Sequence, residues 1–333
     1  MFENGPGIGS PRRNQARTRG GVVALAITFF AAACASANYV SAPTQDQPRP
    51  TPPANSITNH VILISLDGLR PDAIGRFPTP TLERLMQEGS YTLTASTIVP
   101  SKTLPSHTSM LTSEPPEEHG VLWNEAFGAP NTTIAIPTVF SAARAAGYTT
   151  AAFFSKPKFR YLQAPGTLDY SQAPGGLWGR WSNEQTAQDV EAYLAKARPN
   201  LLFVHLPDPD HTGHRDGWMS EAYGLAVTAA DAAVARILGA ADRAYGPQNY
   251  TVIVTSDHGG HGRGHGTADP RDTTIPWIAW GSGVKAGSRV HSSVRTLDTA
   301  PTVHSLLGVP VPETWNGTPI LEAFEQAATT VAP

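Results

Sequence analysis

The stretch HVILISLDG, from His60 to Gly68, decides how the rest of the chain is read. It is a short apolar run with no alternation of polar and apolar residues. Polar residues bound it and Asp-Gly turns it, which predicts a strand buried on both faces. Two later runs have the same form: Asn200 to Leu206, followed by Asp210 and His214, and TVIVT from Thr251 to Thr255, followed by Asp257 and His258. Further strands are predicted at Thr149–Phe154 and Ile275–Trp280. Between them lie helical patterns. Pro80–Glu88 has Thr79 or Thr81 as cap, Leu82, Leu85 and Met86 on one face, and Gly89 as stop. Others are Pro137–Ala146, Thr186–Ala197 and Ser220–Leu238, the last with Asp231 and Arg236 at polar positions. A helix is expected to begin near Ser106, and the final one to run from about Ala300 to Leu307. Helices alternating with β-branched strands give an α/β fold: a central, mainly parallel sheet flanked by helices on both faces.

The N-terminal residues read differently. Arg12, Arg13, Arg17 and Arg19 precede an apolar stretch from Val22 to Ala33, and Ala35-Ser36-Ala37 follows. Basic, apolar and small-residue segments in that order predict a secretory leader over 1–37. Cys34 is the only cysteine, so a disulfide framework is excluded. It is either a residue of a discarded signal or the lipidated end of a membrane tether. Export to a periplasm or the cell exterior is expected in both cases. Residues 38–56 are rich in Pro, Thr and Gln and read as a disordered linker. One catalytic domain is expected over 57–325, with a flexible tail at 326–333. The net charge of -3 is too small to decide on a polyanionic partner, but the lack of a long Lys/Arg block and of aromatic-basic interleaving argues against a dedicated nucleic-acid surface. A small nucleotide remains open as a substrate.

Parallel sheets place ligands beyond the carboxyl ends of their strands. Asp67, the pair Asp210 and His214, and the pair Asp257 and His258 all sit there. His261 and His265 follow in the Gly-rich stretch TSDHGGHGRGHG. Carboxylate oxygens and imidazole nitrogens without thiolates suit zinc or a neighbouring first-row metal, and the set is large enough for two ions.

These motifs, in this order, resemble the alkaline phosphatase superfamily and in particular its nucleotide pyrophosphatase/phosphodiesterase branch. The elements are ILISLDG, VPSKTLPSHTSMLTS followed by EEHGVLWN, PDHTGH, TSDHGGHGRGHG and LDTAPTVHSLLGVPVPETWNG. The resemblance implies an alkaline-phosphatase-like three-layer sandwich holding two divalent ions, expected to be Zn2+. It makes Thr103 the nucleophile and puts Asp67, Thr103, Asp257 and His258 on one ion. Asp210, His214 and a later His, with His265 favoured over His261, take the other. Asn124 would hold a nonbridging oxygen. Thr103, rather than a modifiable Cys or Ser, argues against a sulfatase. Lys156 and Lys158 resemble the Lys/Arg pair of some monoesterases, with Lys in place of Arg, and make Lys156 a candidate phosphate contact. The expected activity is hydrolysis of phosphodiesters or nucleotide pyrophosphates through a phosphothreonine. Phosphomonoester hydrolysis is the alternative within the superfamily, and a metal- or substrate-binding protein without turnover is the alternative outside it.

Overall fold

The computed structural model describes residues 53, 55–125, 132–175 and 179–325. The expected leader at 1–37 with Cys34, nearly all of the linker at 38–56 and the tail at 326–333 lie outside the described residues. Among the described residues eight strands form one sheet: β1 (Val61–Leu66), β2 (Ser90–Ser96), β3 (Thr150–Phe153), β4 (Tyr170–Gln172), β5 (Leu201–Leu206), β6 (Thr251–Thr255), β7 (Thr274–Gly281) and β8 (Ser288–Arg289). Their order is β4-β3-β5-β1-β6-β7-β2-β8. The five strands from β4 to β6 run parallel. β7 is antiparallel to both β6 and β2. The helices are α1 (Pro80–Glu88), α2 (Thr103–Thr112), α3 (Pro116–His119), α4 (Val139–Ala145), α5 (Asn183–Leu194), α6 (Asp208–Asp216), α7 (Glu221–Tyr245), α8 (Pro270–Thr273) and α9 (Thr299–Leu307).

All six residues of β1 are buried. Successive side chains in a strand point to opposite faces, and the core divides accordingly. Val61 and Leu63 join Leu104, Leu111, Phe140, Val303 and Leu306 on the face covered by α2, α4 and α9. Ile62, Ile64 and Leu66 join Leu82, Leu85, Val190, Val227 and Ile237 on the face covered by α1, α5 and α7. The result is the expected three-layer α/β sandwich. It follows from a central strand apolar at every position but Ser65.

Several local expectations are corrected. α2 begins at Thr103 rather than near Ser106, so Thr103 is the first helical residue. α7 extends to Tyr245, beyond the expected Leu238. β2 and α6 were not expected. β2 alternates hydroxyls with apolar residues in the order SYTLTAS, a period-two strand signal that the sequence reading passed over. α6 contains Pro209 and Gly213, both poor helix formers.

The cap of α1 is the clearest correction. Neither Thr79 nor Thr81 caps it through its side chain. Asp231 does so from α7: its carboxylate accepts from Thr81 N at 3.1 Å and Leu82 N at 2.8 Å. Asp231 is 3% exposed, so a position expected on a polar face is a buried tertiary cap. Asp231→Ala would leave two buried N–H groups without acceptors, at a cost of roughly 2–4 kcal/mol. Thermal unfolding should show a midpoint lower by roughly 5–15 °C, with Asp231→Asn retaining part of the loss.

Candidate metal centre

The site lies at the carboxyl ends of β1, β5 and β6, the three central strands. Gly68 allows them to converge. Its φ is +73°, and a Cβ there would come within 2.8 Å of Asp210 Cα, so only glycine fits this approach. Main-chain bonds fix the contact: Asp210 N donates to Asp67 O at 2.9 Å, and Gly68 N donates to Asp257 Oδ1 at 3.1 Å. The Gly68 carbonyl accepts from Trp218 Nε1 at 3.0 Å and from the Tyr223 hydroxyl at 2.9 Å. The Trp218 ring in turn lies against Gly213 and Gly260. A Cβ on either would come within 2.6 Å or 2.2 Å of ring atoms.

Three buried carboxylates meet here. Asp67 and Asp257 are fully buried and Asp210 nearly so. Each keeps one buried oxygen without a hydrogen-bond donor: Asp67 Oδ1, Asp210 Oδ1 and Asp257 Oδ2. Histidines face these oxygens. His258 Nε2 is 3.4 Å from Asp67 Oδ1 and 3.2 Å from Asp257 Oδ2. His214 Nε2 and His265 Nε2 lie 3.3 Å and 3.5 Å from Asp210 Oδ1 and 3.0 Å from each other. Two groups with converging ligand atoms result: Asp210, His214 and His265, and Asp67, Asp210 and His258. Orphaned carboxylate oxygens opposed by imidazole nitrogens fit divalent cations, since an unsatisfied buried acceptor is costly and hydrogen bonds do not supply the missing partner.

Thr103 is buried at the edge of the second group, with Oγ1 3.3 Å from His258 Nε2. Asn124 reaches the same helix end, where its Oδ1 accepts from Leu104 N at 2.9 Å. The structure thus brings together Asp67, Thr103, Asn124, Asp210, His214, Asp257, His258 and His265. His261 lies elsewhere: its Nδ1 is 2.7 Å from Asp272 Oδ1, and Asp272 also holds Thr267. It secures the loop rather than facing either group.

Lys156 enters the centre directly. Its ammonium is 2.5 Å from Asp67 Oδ2 and 2.6 Å from Asp210 Oδ2. Burial would raise the Asp67 carboxyl, but Lys156 and His205 outweigh it and hold that carboxyl well below its usual range. The same carboxylates outweigh burial at Lys156 and raise its ammonium. Asp257 goes the other way, driven well up by burial and then by the charge of Asp67. Burial, followed by His265, lowers His258 to about 3. Lys158 makes no ion pair among the described residues. Burial and then the Lys156 charge lower it to about 8.

Two buried histidines escaped the sequence reading. His205 Nε2 is 2.8 Å from Asp67 Oδ2. His107 bridges Thr103 O and Ser65 Oγ, each at 2.8 Å. The available signals were an imidazole inside an otherwise apolar strand, LLFVHL, and a four-residue helical spacing from Thr103.

Residues 61–263 match the family described as type I phosphodiesterase / nucleotide pyrophosphatase. The chain belongs to that family. It is 26% identical over 321 residues to GPI ethanolamine phosphate transferase 1 of Homo sapiens, covering 79% of this chain and 32% of that protein. It is 26% identical over 227 residues to the bis(5'-adenosyl)-triphosphatase enpp4 of Xenopus laevis, covering 62% of this chain and 48% of that protein. The chain therefore spans a third to a half of the length of these relatives. Among solved structures, murine ectonucleotide pyrophosphatase/phosphodiesterase 5, in an inactive form in complex with AMP, superposes with a TM-score of 0.68 at 17% identity. That match covers 80% of this chain and 100% of the other. A 2-O GAG sulfatase superposes with a TM-score of 0.65, also at 17% identity, covering 79% of this chain and 73% of the other. Both share the alkaline-phosphatase-like fold.

The two histidine positions give a direct test. His265→Ala should remove one equivalent of bound divalent metal, read by elemental analysis. His261→Ala should retain the full metal content and lower only thermal stability, through the loop held by Asp272.

Proposed function

We propose that the chain is a two-metal hydrolase of phosphodiesters or nucleotide pyrophosphates that works through a phosphothreonine at Thr103. Asp67, Thr103, Asp257 and His258 would hold one ion, and Asp210, His214 and His265 the other, with zinc the metal best suited to these donors. Such ions supply Lewis-acid activation of a hydroxyl and stabilisation of a leaving oxygen.

The remaining chemistry belongs to the chain's own residues. Thr103 opens α2, where the first N–H groups have no partner within the helix. The Leu104 N–H is taken by Asn124, Pro105 has none, and the Ser106 N–H bonds Lys102 O. The Thr103 N–H remains for an anionic oxygen, in the favourable field of a helix N-terminus. Because Asn124 Oδ1 accepts from Leu104, the amide NH2 is its outward end and a donor to a nonbridging oxygen. Attack by Thr103 Oγ1 forms a threonine-phosphorus bond and breaks the bond to the leaving group. Water then cleaves the phosphothreonine and restores the hydroxyl. His107, bonded to the Thr103 carbonyl, keeps the first turn of α2 in register with β1.

The observation that carries the diester preference is the position of Lys156. A monoester brings one more negative charge than a diester and favours a free cation beside it. The Lys156 ammonium is already committed to Asp67 and Asp210, and the nearby Lys158 is a weakened cation, lowered to about 8 by burial and then by the Lys156 charge. The names of relatives such as the bis(5'-adenosyl)-triphosphatase point the same way. Export, free or tethered through Cys34, is part of this proposal. Mass analysis of the N-terminus from the native host should find residues 1–37 removed or Cys34 lipidated. A chain retaining Met1 would exclude both.

Thr103→Ala should keep its metals and lose at least a thousandfold in turnover of an aryl phosphodiester, while Thr103→Ser keeps measurable activity. The wild type should prefer an aryl diester to the matched aryl monoester. Near-normal turnover by Thr103→Ala would rule out the covalent route, and a monoester preference would rule out the substrate class.

A further inference from the structure

Lys156 leaves the end of β3, and the sheet order places β5 between β3 and β1. Lys156 and Asp67 therefore meet beyond the end of β5, which lies between the strands that carry them. The backbone that launches it is fixed. Ser155 Oγ bonds both the His205 carbonyl and Thr186 Oγ1, and Pro157 follows Lys156 at the start of a short 3-10 turn. The Lys156 side chain is 12% exposed.

The ammonium divides the two carboxylates it meets. It takes Oδ2 of Asp67 and Oδ2 of Asp210. The Oδ1 atoms face the candidate ligand histidines, His258 at Asp67, and His214 and His265 at Asp210, while His205 shares Asp67 Oδ2 with Lys156. Asp210 belongs to both candidate metal groups and Asp67 to one. One fixed positive charge thus leans on the donors of both half-sites while leaving their metal-facing oxygens free. Like charges this close in a buried site oppose each other strongly. A cation that neutralises a carboxylate also makes it a weaker donor to a second cation. The same contact removes repulsion between Asp67 and Asp210 when no other cation does so.

We propose that Lys156 is a positioning residue that ties the two metal half-sites together and sets how tightly they hold their ions. It stabilises the centre without metal and weakens the grip on metal, so that the ions stay exchangeable. This rests on the two-metal reading given above.

The test uses the full mature chain, stripped with a chelator and titrated with zinc against a chromophoric competitor. Unfolding is followed in parallel with chelator and with saturating zinc. Lys156→Met keeps most of the length of the side chain and removes its charge. It should bind zinc at least tenfold more tightly than the wild type. Its metal-free unfolding midpoint should fall by several degrees, so that zinc raises the midpoint by more than it does in the wild type. A residue with a purely structural role would lower stability without tightening metal. Equal or weaker zinc affinity in Lys156→Met would overturn the proposal. If the metal-free variant does not fold, Lys156→Gln and the rate of zinc loss from loaded protein to chelator decide the same point, slower loss supporting the proposal and equal or faster loss overturning it. Failure of the wild type to take up zinc would instead remove the two-metal reading itself, and this proposal with it.

Discussion

Burying three carboxylates side by side is the constraint that the rest of this structure answers. Asp67, Asp210 and Asp257 stand at the ends of β1, β5 and β6 with almost no contact with solvent, where their mutual repulsion is poorly screened. The surroundings meet that repulsion in different ways. His205 and Lys156 bind one oxygen of Asp67, the Gly68 amide binds one oxygen of Asp257, and a ring of histidines faces the remaining oxygens. Burial drives Asp257 towards its neutral form while Asp67 is held ionised. A cluster organised in this way costs folding energy and is suited to binding cations.

Much of this was legible in the sequence. An apolar run without alternation gave β1, and the same reading gave β5 and β6, so the acidic and imidazole residues just after these runs fell together by topology alone. α1 was read with its observed bounds because Pro80 opens it and Gly89 closes it. Signals of this kind are local: each lies within a few residues of what it determines.

What was not legible depends on distance in the chain. Asp231 caps a helix 149 and 150 residues away. On its own helix it looks like a solvated charge. Lys156 reads as a surface cation beside a turn or as a phosphate contact, and only the order of the strands brings it to Asp67 beyond the end of β5. His107 and His205 sit among apolar neighbours, where a single imidazole gives no sign of its partner. β2 was missed although SYTLTAS alternates polar and apolar residues; its burial does not follow that alternation, because its register with β7 shifts between Thr92 and Ala95.

The packing of Trp218 has a consequence for how such a site can change over time. Its ring is wedged between the glycine of the α6 turn and the glycine of the loop after β6, and its indole N–H closes on Gly68. The residues that bear ligands are thereby welded to the interior, and any enlargement at Gly68, Gly213 or Gly260 collides with backbone or indole. Among the described residues, the segment around Leu122, Trp123 and Asn124 has no comparable glycine lock, and Leu122 is 59% exposed. Descendants of this chain that turn to new substrates should therefore accumulate their changes on that lip. The shelf of Asp67, Asp210 and Asp257 should pass through such divergence unaltered.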